Sequence, residues 1–142
     1  METNELHRGR LIDHIQLVVR DLDASRRFYT AVFEAMQVPI GGEGPDFFWA
    51  DELFVSTADS EAAQGELTGR HHLAFQARDR AMVDAFHSAA MAHGGRENGA
   101  PAERDYHPGY YAAFVLDPDG NNIEAVYHGE SQRSAASVKV TF

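Results

Sequence analysis

Cysteine is absent from the 142 residues, and that single absence removes disulfides, thiolate metal ligands and a nucleophilic thiol together. Any metal held by this chain needs nitrogen and oxygen donors. No stretch approaches the roughly 20 apolar residues that a membrane helix requires, although 44% of the chain is hydrophobic. The composition is that of a globular protein without a membrane partner. Positive charge is also scarce, with 12 Lys and Arg against 22 Asp and Glu and a formal net charge of −10. Such a surface repels phosphate backbones, so nucleic acid is not an expected partner. The start, METNELHRGR, mixes acids with bases and leads into no apolar signal core, which makes the cytoplasm the expected location. At this length one folding unit is expected across residues 1–142.

What is present is an internal repeat. Shifted by 58 residues, HIQLVVRDLDASRRFYTA from His14 falls on HLAFQARDRAMVDAFHSA from His72, with Arg20-Asp21 on Arg78-Asp79 and Phe28 on Phe86. Each segment passes from short apolar strand character to a helical period after its Arg-Asp pair. In the first copy Ile15, Leu17 and Val19 share one strand face and His14, Gln16 and Val18 the other. Leu22, Phe28, Val32 and Met36 then form a helical stripe, with Asp21 or Asp23 as N-cap and Pro39 blocking continuation. In the second copy Leu73 and Phe75 take the covered face. The helix runs from about Arg80 to His93, with Met82, Phe86 and Ala89 inward and Gly94-Gly95 as its stop. His14 and His72 are thereby left on the uncovered face, and His71 turns to the helix layer.

Short strands are expected after each helix, around Val38–Gly41, Phe47–Ala50 and Leu53–Thr57, then near Gly95–Glu97, Tyr110–Leu116 and Asn122–Tyr127. In DPDGNN, Pro118 is pre-set for a turn and Gly120 can take positive φ, so this hairpin and its register are well specified. The expected fold class is α+β. It consists of two tandem βαβββ half-modules, about 11–59 and 71–128, forming a curled mixed sheet around a cavity with helices on the outer face. Residues 60–70 read as a linker. The Ser-rich tail 129–142 reads as mobile, with VKVTF able to add an edge strand.

Two strand histidines on an open face and a strand carboxylate placed by a hairpin, His14, His72 and Glu124, make a facial set of donors for iron(II), manganese, nickel or zinc. Three protein ligands leave positions for water and substrate. Each of the three also suits a plain structural role, since a strand histidine is often just hydrogen-bonded. RDYHPGYY sets His107, Tyr110 and Tyr111 beside the strand of Glu124, where a histidine serves as acid or base and a tyrosine orients a substrate oxygen. These are the candidate catalytic residues, with a rim of loop residues as the plainer reading. Phe47, Phe48 and Trp49 supply walls or core. Gly41, Gly42 and Gly44 do not lead a strand into a helix and are loop glycines.

HIQLVVRDLDASRRFYTAVF, HHLAFQARDRAMVDAFHSAAMAHGG and YYAAFVLDPDGNNIEAV resemble the three signature blocks of the glyoxalase/bleomycin-resistance/extradiol-dioxygenase superfamily, the vicinal oxygen chelate proteins. The resemblance covers nearly all of residues 11–128. It implies that His14, His72 and Glu124 bind a divalent metal ion and that the protein is a lyase or dioxygenase acting on a small-molecule substrate. The alternative it carries is a metal-free protein that sequesters an antibiotic. Glyoxalase I relatives have a further carboxylate in the last strand of the first half. ELFVSTAD offers no acid there, and Val55 or Ser56 is expected near that place. A homodimer is expected, because an open half-module sheet covers its edges by pairing.

Overall fold

In the computed structural model, which describes residues 5–9, 11–60 and 63–142, the repeat appears as two matching units. The first comprises β2 (Ile15–Val18), α1 (Leu22–Ala35), β3 (Gly42–Glu43), β4 (Phe47–Ala50) and β5 (Leu53–Ser56). The second comprises β6 (His72–Gln76), α2 (Arg80–Ala92), β7 (Arg96–Glu103), β8 (Tyr111–Leu116) and β9 (Asn122–Tyr127). Both are βαβββ, as expected. Each builds its own mixed sheet, in the orders β2-β5-β4-β3 and β6-β9-β8-β7. In each, the first strand pairs in parallel with the last and stands at the sheet edge.

The helix starts follow from two aspartates at equivalent places. Asp21 accepts from the Ala24 amide at 3.1 Å, and Asp79 accepts from the Met82 amide at 2.8 Å. Each satisfies an amide that helix geometry leaves unpaired. Asp23 is instead an acidic residue of the first turn, where the helix dipole favours it. The strand after α1 is displaced from the expected Val38–Gly41 to Gly42–Glu43, because Gly42 pairs with Trp49. Gly41 itself lies against the Trp49 ring, and a Cβ there would stand 2.3 Å from it. β7 is longer than expected and carries register shifts between Glu97 and Ala102. Such irregularities add residues without a partner and hide a strand from its alternation.

A single core joins both units. Leu17, Phe48 and Val55 from the first sheet and Val115, Ile123 and Ala125 from the second are all buried in it together with Phe28, Val32, Val83 and Phe86 from the helices. α1 packs on α2, so each sheet carries its helix on one face and turns its open face away from the common core. Tyr29, fully buried, meets Phe28 edge-on at 4.9 Å and donates its hydroxyl to Asp117 at 2.6 Å. Burial, then the Asp117 charge, pushes this phenol well above its ordinary range. Asp117 also accepts from the amides of Asp119 and Asn121 and from the Asn121 side chain, and Gly120 takes φ +85°. The turn before β9 is thus tied to a helix of the other half.

Two elements differ from expectation. The C-terminal strand β10 (Val138–Thr141) joins neither four-stranded sheet but pairs antiparallel with β1 (Glu5–Arg8). His71 is exposed and not in the helix layer. Its amide and carbonyl are used instead, bonded to Asn121 Oδ1 and to the Asn122 amide. In the linker, Thr68 caps the edge of β2 by bonding both the amide and the carbonyl of Val18. Residues 61 and 62 of the linker lie outside the described residues.

Candidate functional site

The open face of the second sheet gathers polar groups around Glu124. Its side chain is buried, 2% exposed, yet points away from the apolar core because its neighbours Ile123 and Ala125 fill that side. Tyr110 donates its hydroxyl to Glu124 Oε2. His72 Nε2 lies 3.1 Å from Glu124 Oε1. The other ring nitrogen of His72, Nδ1, stands 2.9 Å from the Asn122 carbonyl, which can only accept. Nδ1 therefore carries the hydrogen, and in the neutral ring Nε2 presents a lone pair. Asn122 is held in turn by the Asn98 side chain at 3.0 Å. The Tyr110 phenol is raised well above its usual value, by burial first and then by its bond to Glu124.

Beside this group lies a histidine pair. His107 Nε2 and His128 Nδ1 are 2.8 Å apart, and the rings stack with centroids at 5.1 Å. His107 Nδ1 meets the Pro108 carbonyl at 3.0 Å, so His107 Nε2 accepts and His128 Nδ1 donates. With both rings neutral, His128 Nε2 is left as an acceptor. Tyr110 stands edge-on to both imidazoles at 5.2 Å, with Tyr106 against its ring at 4.9 Å. Sequence reasoning did not single out His128 or Asn122. The signal was available, because residues 122, 124, 126 and 128 share one strand face.

The structure brings His72, Glu124, Tyr110 and His107 together. Tyr111 is turned the other way, donating to Asp84 of α2 at 2.7 Å with the Arg80 guanidinium over its ring at 4.5 Å. Adjacent residues of a strand face opposite sides, so Tyr110 and Tyr111 cannot both serve one face. His14 is exposed, bonded to Asp13 at 2.6 Å, and stands before β2 of the other sheet. Among the described residues no three His, Asp or Glu side chains gather as a metal site within the chain. His14 precedes a strand of the first sheet while His72 and Glu124 belong to the second, and the halves pack on each other through α1 and α2.

The first half has an equivalent face, and the strand register identifies its residues. Two residues beyond His72, Ala74 pairs with Glu124; two residues beyond His14, Gln16 pairs with Phe54. Phe54, not Val55 or Ser56, therefore occupies the place that Glu124 has in the second half. It stacks on Phe47 at 5.3 Å with the rings 7° from parallel. Gln16 bonds Ser56 at 2.9 Å. Among the described residues of the paired strands β2 and β5, no carboxylate stands on this face.

Residues 11–125 match the family model described as "Glyoxalase/Bleomycin resistance protein/Dioxygenase superfamily". An uncharacterized protein of Bacillus subtilis, YqjT, is 31% identical over 126 residues, 80% of this chain and 95% of its own length. A crystal structure of a glyoxalase/bleomycin resistance protein from Albidiferax ferrireducens superposes with a TM-score of 0.66 at 29% identity, covering 82% of this chain and 98% of its own. A family enzyme from Burkholderia phytofirmans gives 0.63 at 25% identity, with 80% and 95% covered. Lactoylglutathione lyase from Agrobacterium tumefaciens, at 22% identity and a TM-score of 0.59 over 83% of this chain and 93% of its own, shares the fold.

Proposed function

The chain belongs to the glyoxalase/bleomycin resistance protein/dioxygenase superfamily, and we propose that it is a metal-dependent enzyme that takes hold of neighbouring oxygens of a small substrate. The supporting observation is the His72–Glu124 pair. A buried carboxylate oxygen faces an imidazole nitrogen at 3.1 Å, and with the hydrogen of the neutral ring on Nδ1 both atoms turn lone pairs toward one point, as two donors to a single ion do. These nitrogen and oxygen donors fit a divalent ion such as iron, manganese, nickel or zinc. Asn122, which holds the far side of the imidazole, is the kind of outer partner that fixes a metal-ligating histidine.

Two donors are two of the three expected. We propose that the third, His14, comes from a second copy of the chain, so that the active form is a homodimer. In support, the first half repeats the architecture of the second, and β6 is a sheet-edge strand with His72, Ala74 and Gln76 all exposed. Bare strand edges invite pairing.

A bound ion would polarise a substrate oxygen as a Lewis acid. The remaining work falls to the chain. Tyr110 holds Glu124 in place and, with its raised phenol, stays a neutral donor. The His107–His128 pair stands beside them, with His128 Nε2 turned out as a proton acceptor. Phe54 gives the first half's face an apolar wall where a second carboxylate would otherwise act as base.

The test is elemental analysis of protein purified without chelators, followed by turnover assays over catechols and thiol hemiacetals. Bound metal with chelator-sensitive turnover supports the reading. Metal-free protein that binds small molecules without turning them over would replace it with sequestration of the bleomycin-resistance type.

A further inference from the structure

The face that holds Glu124 also carries a cation. Arg104 follows the end of β7 and donates its amide to the Tyr110 carbonyl at 2.8 Å, which sets it beside the tyrosine bonded to Glu124. Its guanidinium lies over the Phe114 ring, 5.1 Å from the centroid. Phe114 is the direct cross-strand partner of Glu124, and its ring is 6.1 Å from that of His72. Arg104 and the His72–Glu124 pair therefore flank one aromatic ring on one side of the sheet. Glu103, the neighbouring residue, serves the other side, where Arg80 of α2 holds it.

The backbone is shaped to receive the guanidinium. The register of β7 slips on both sides of Gly99, and a slip of this kind takes carbonyls out of the ladder and re-aims side chains. Arg104 Nη2 donates to the Ala100 carbonyl at 2.5 Å and to that of Ala112 at 3.2 Å. Gly99 supplies the room: at φ +149°, a Cβ there would stand 3.3 Å from Nη2 and 3.0 Å from the Phe114 ring. What this cradle does not supply is a negative charge. Among the described residues no carboxylate pairs with Arg104, its Nε is buried without a partner, and its Nη1 makes no hydrogen bond. Arginine carries five donors, and here only those on Nη2 are used. In a chain with 22 acids against 12 Lys and Arg, a half-buried cation left without an acid beside a binding centre is matched only when an anion arrives.

We propose that Arg104 is a specificity-determining residue, which takes a carboxylate of the substrate while neighbouring oxygens of the same molecule are held at His72 and Glu124. The proposal rests on the reading of that pair given above. One cation matches one negative charge, which favours a carboxylate over the nearly doubly charged phosphate. The substrate class is thus a small acid whose body spans Phe114, with paired oxygens at one end and the carboxylate at the other.

The test titrates the full chain, purified without chelators, with catechol, 3,4-dihydroxybenzamide and 3,4-dihydroxybenzoate by calorimetry at neutral pH. All three share the paired oxygens, and the amide matches the acid in shape, so charge separates the last two. The benzoate is expected to bind at least about tenfold more tightly than the benzamide, the scale of one charge-assisted hydrogen bond. Arg104→Met is expected to abolish that preference while leaving the affinity for the benzamide unchanged, and Arg104→Lys to restore part of it. An arginine that only braces β7 would instead weaken all three ligands alike when replaced. Equal affinity for acid and amide in the unaltered protein overturns the proposal without recourse to a variant. So does a preference that Arg104→Met retains in full, or no binding of any of the three. Repeating the titrations after chelator treatment separates this proposal from the metal centre. An Arg104-dependent preference that survives metal removal upholds the role of Arg104 and counts against the metal, whereas binding that the chelator abolishes, with no preference for the acid, does the reverse.

Discussion

The Nε2 of His72 and the Oε1 of Glu124 stand 3.1 Å apart across the parallel pair β6–β9, with Tyr110 bonded to the other carboxylate oxygen. Each atom is placed by backbone pairing, the histidine at the first residue of an edge strand and the glutamate on the adjoining inner strand. The Tyr110 hydroxyl and the Asn122 carbonyl hold the two side chains from their far sides, the support a binding centre requires.

Replacing Glu124 by Gln substitutes a neutral amide for a hard anionic donor. Metal content, measured by elemental analysis, is expected to fall by about tenfold or more, the scale seen when metal-site support is lost. Unchanged metal content in a folded variant would remove Glu124 from the centre.

A site shared between copies makes a prediction that a single-chain site does not. His14→Ala and Glu124→Gln homodimers are each expected to lose chelator-sensitive activity. When co-expressed, the mixed dimer contains one unaltered His14 facing one unaltered Glu124, and part of the activity is expected to return. Sedimentation is expected to give a dimer at micromolar concentration; a monomer together with no recovery on mixing would rule the arrangement out.

Phe54 occupies the position that matches Glu124 in the repeat. Turnover of the glutathione hemithioacetal of methylglyoxal is accordingly expected to be weak, since a positioned base is worth about 100- to 10,000-fold. Any residual rate is expected to depend on the imidazole pair and to drop in His107→Ala. A high rate that survives this substitution would place the base elsewhere.

Tyr29 links α1 to the turn before β9, and its phenol is raised by burial and by Asp117. A group whose value is raised in the folded state contributes stability that is complete below its unfolded value, about 10 for tyrosine, and lost as the pH climbs through the raised one. Unfolding is thus expected to become easier above about pH 10. Tyr29→Phe is expected to cost about 1–3 kcal/mol at neutral pH, because buried Asp117 loses a donor. It is also expected to flatten the alkaline dependence, as read by denaturant melts across pH.

The sequence by itself determined the tandem βαβββ units, the turn at Gly120 and the face on which His72 and Glu124 lie, and it narrowed the cap of the first helix to Asp21 or Asp23. All of these depend on residues close together in the chain, where period and turn chemistry act directly. His128 and Asn122 were also legible, two steps of alternation or one from Glu124, and the opposite orientation of Tyr111 follows from the same rule. Tertiary structure alone decided the rest. Phe54 is matched to Glu124 only through strand register. The partnership of β1 with β10 joins the two ends of the chain. The separation of His14 from Glu124 arises from how two half-modules pack through their helices. Alternation says which side of a strand a residue faces but not what that side will meet, since that depends on contacts between elements far apart in the chain.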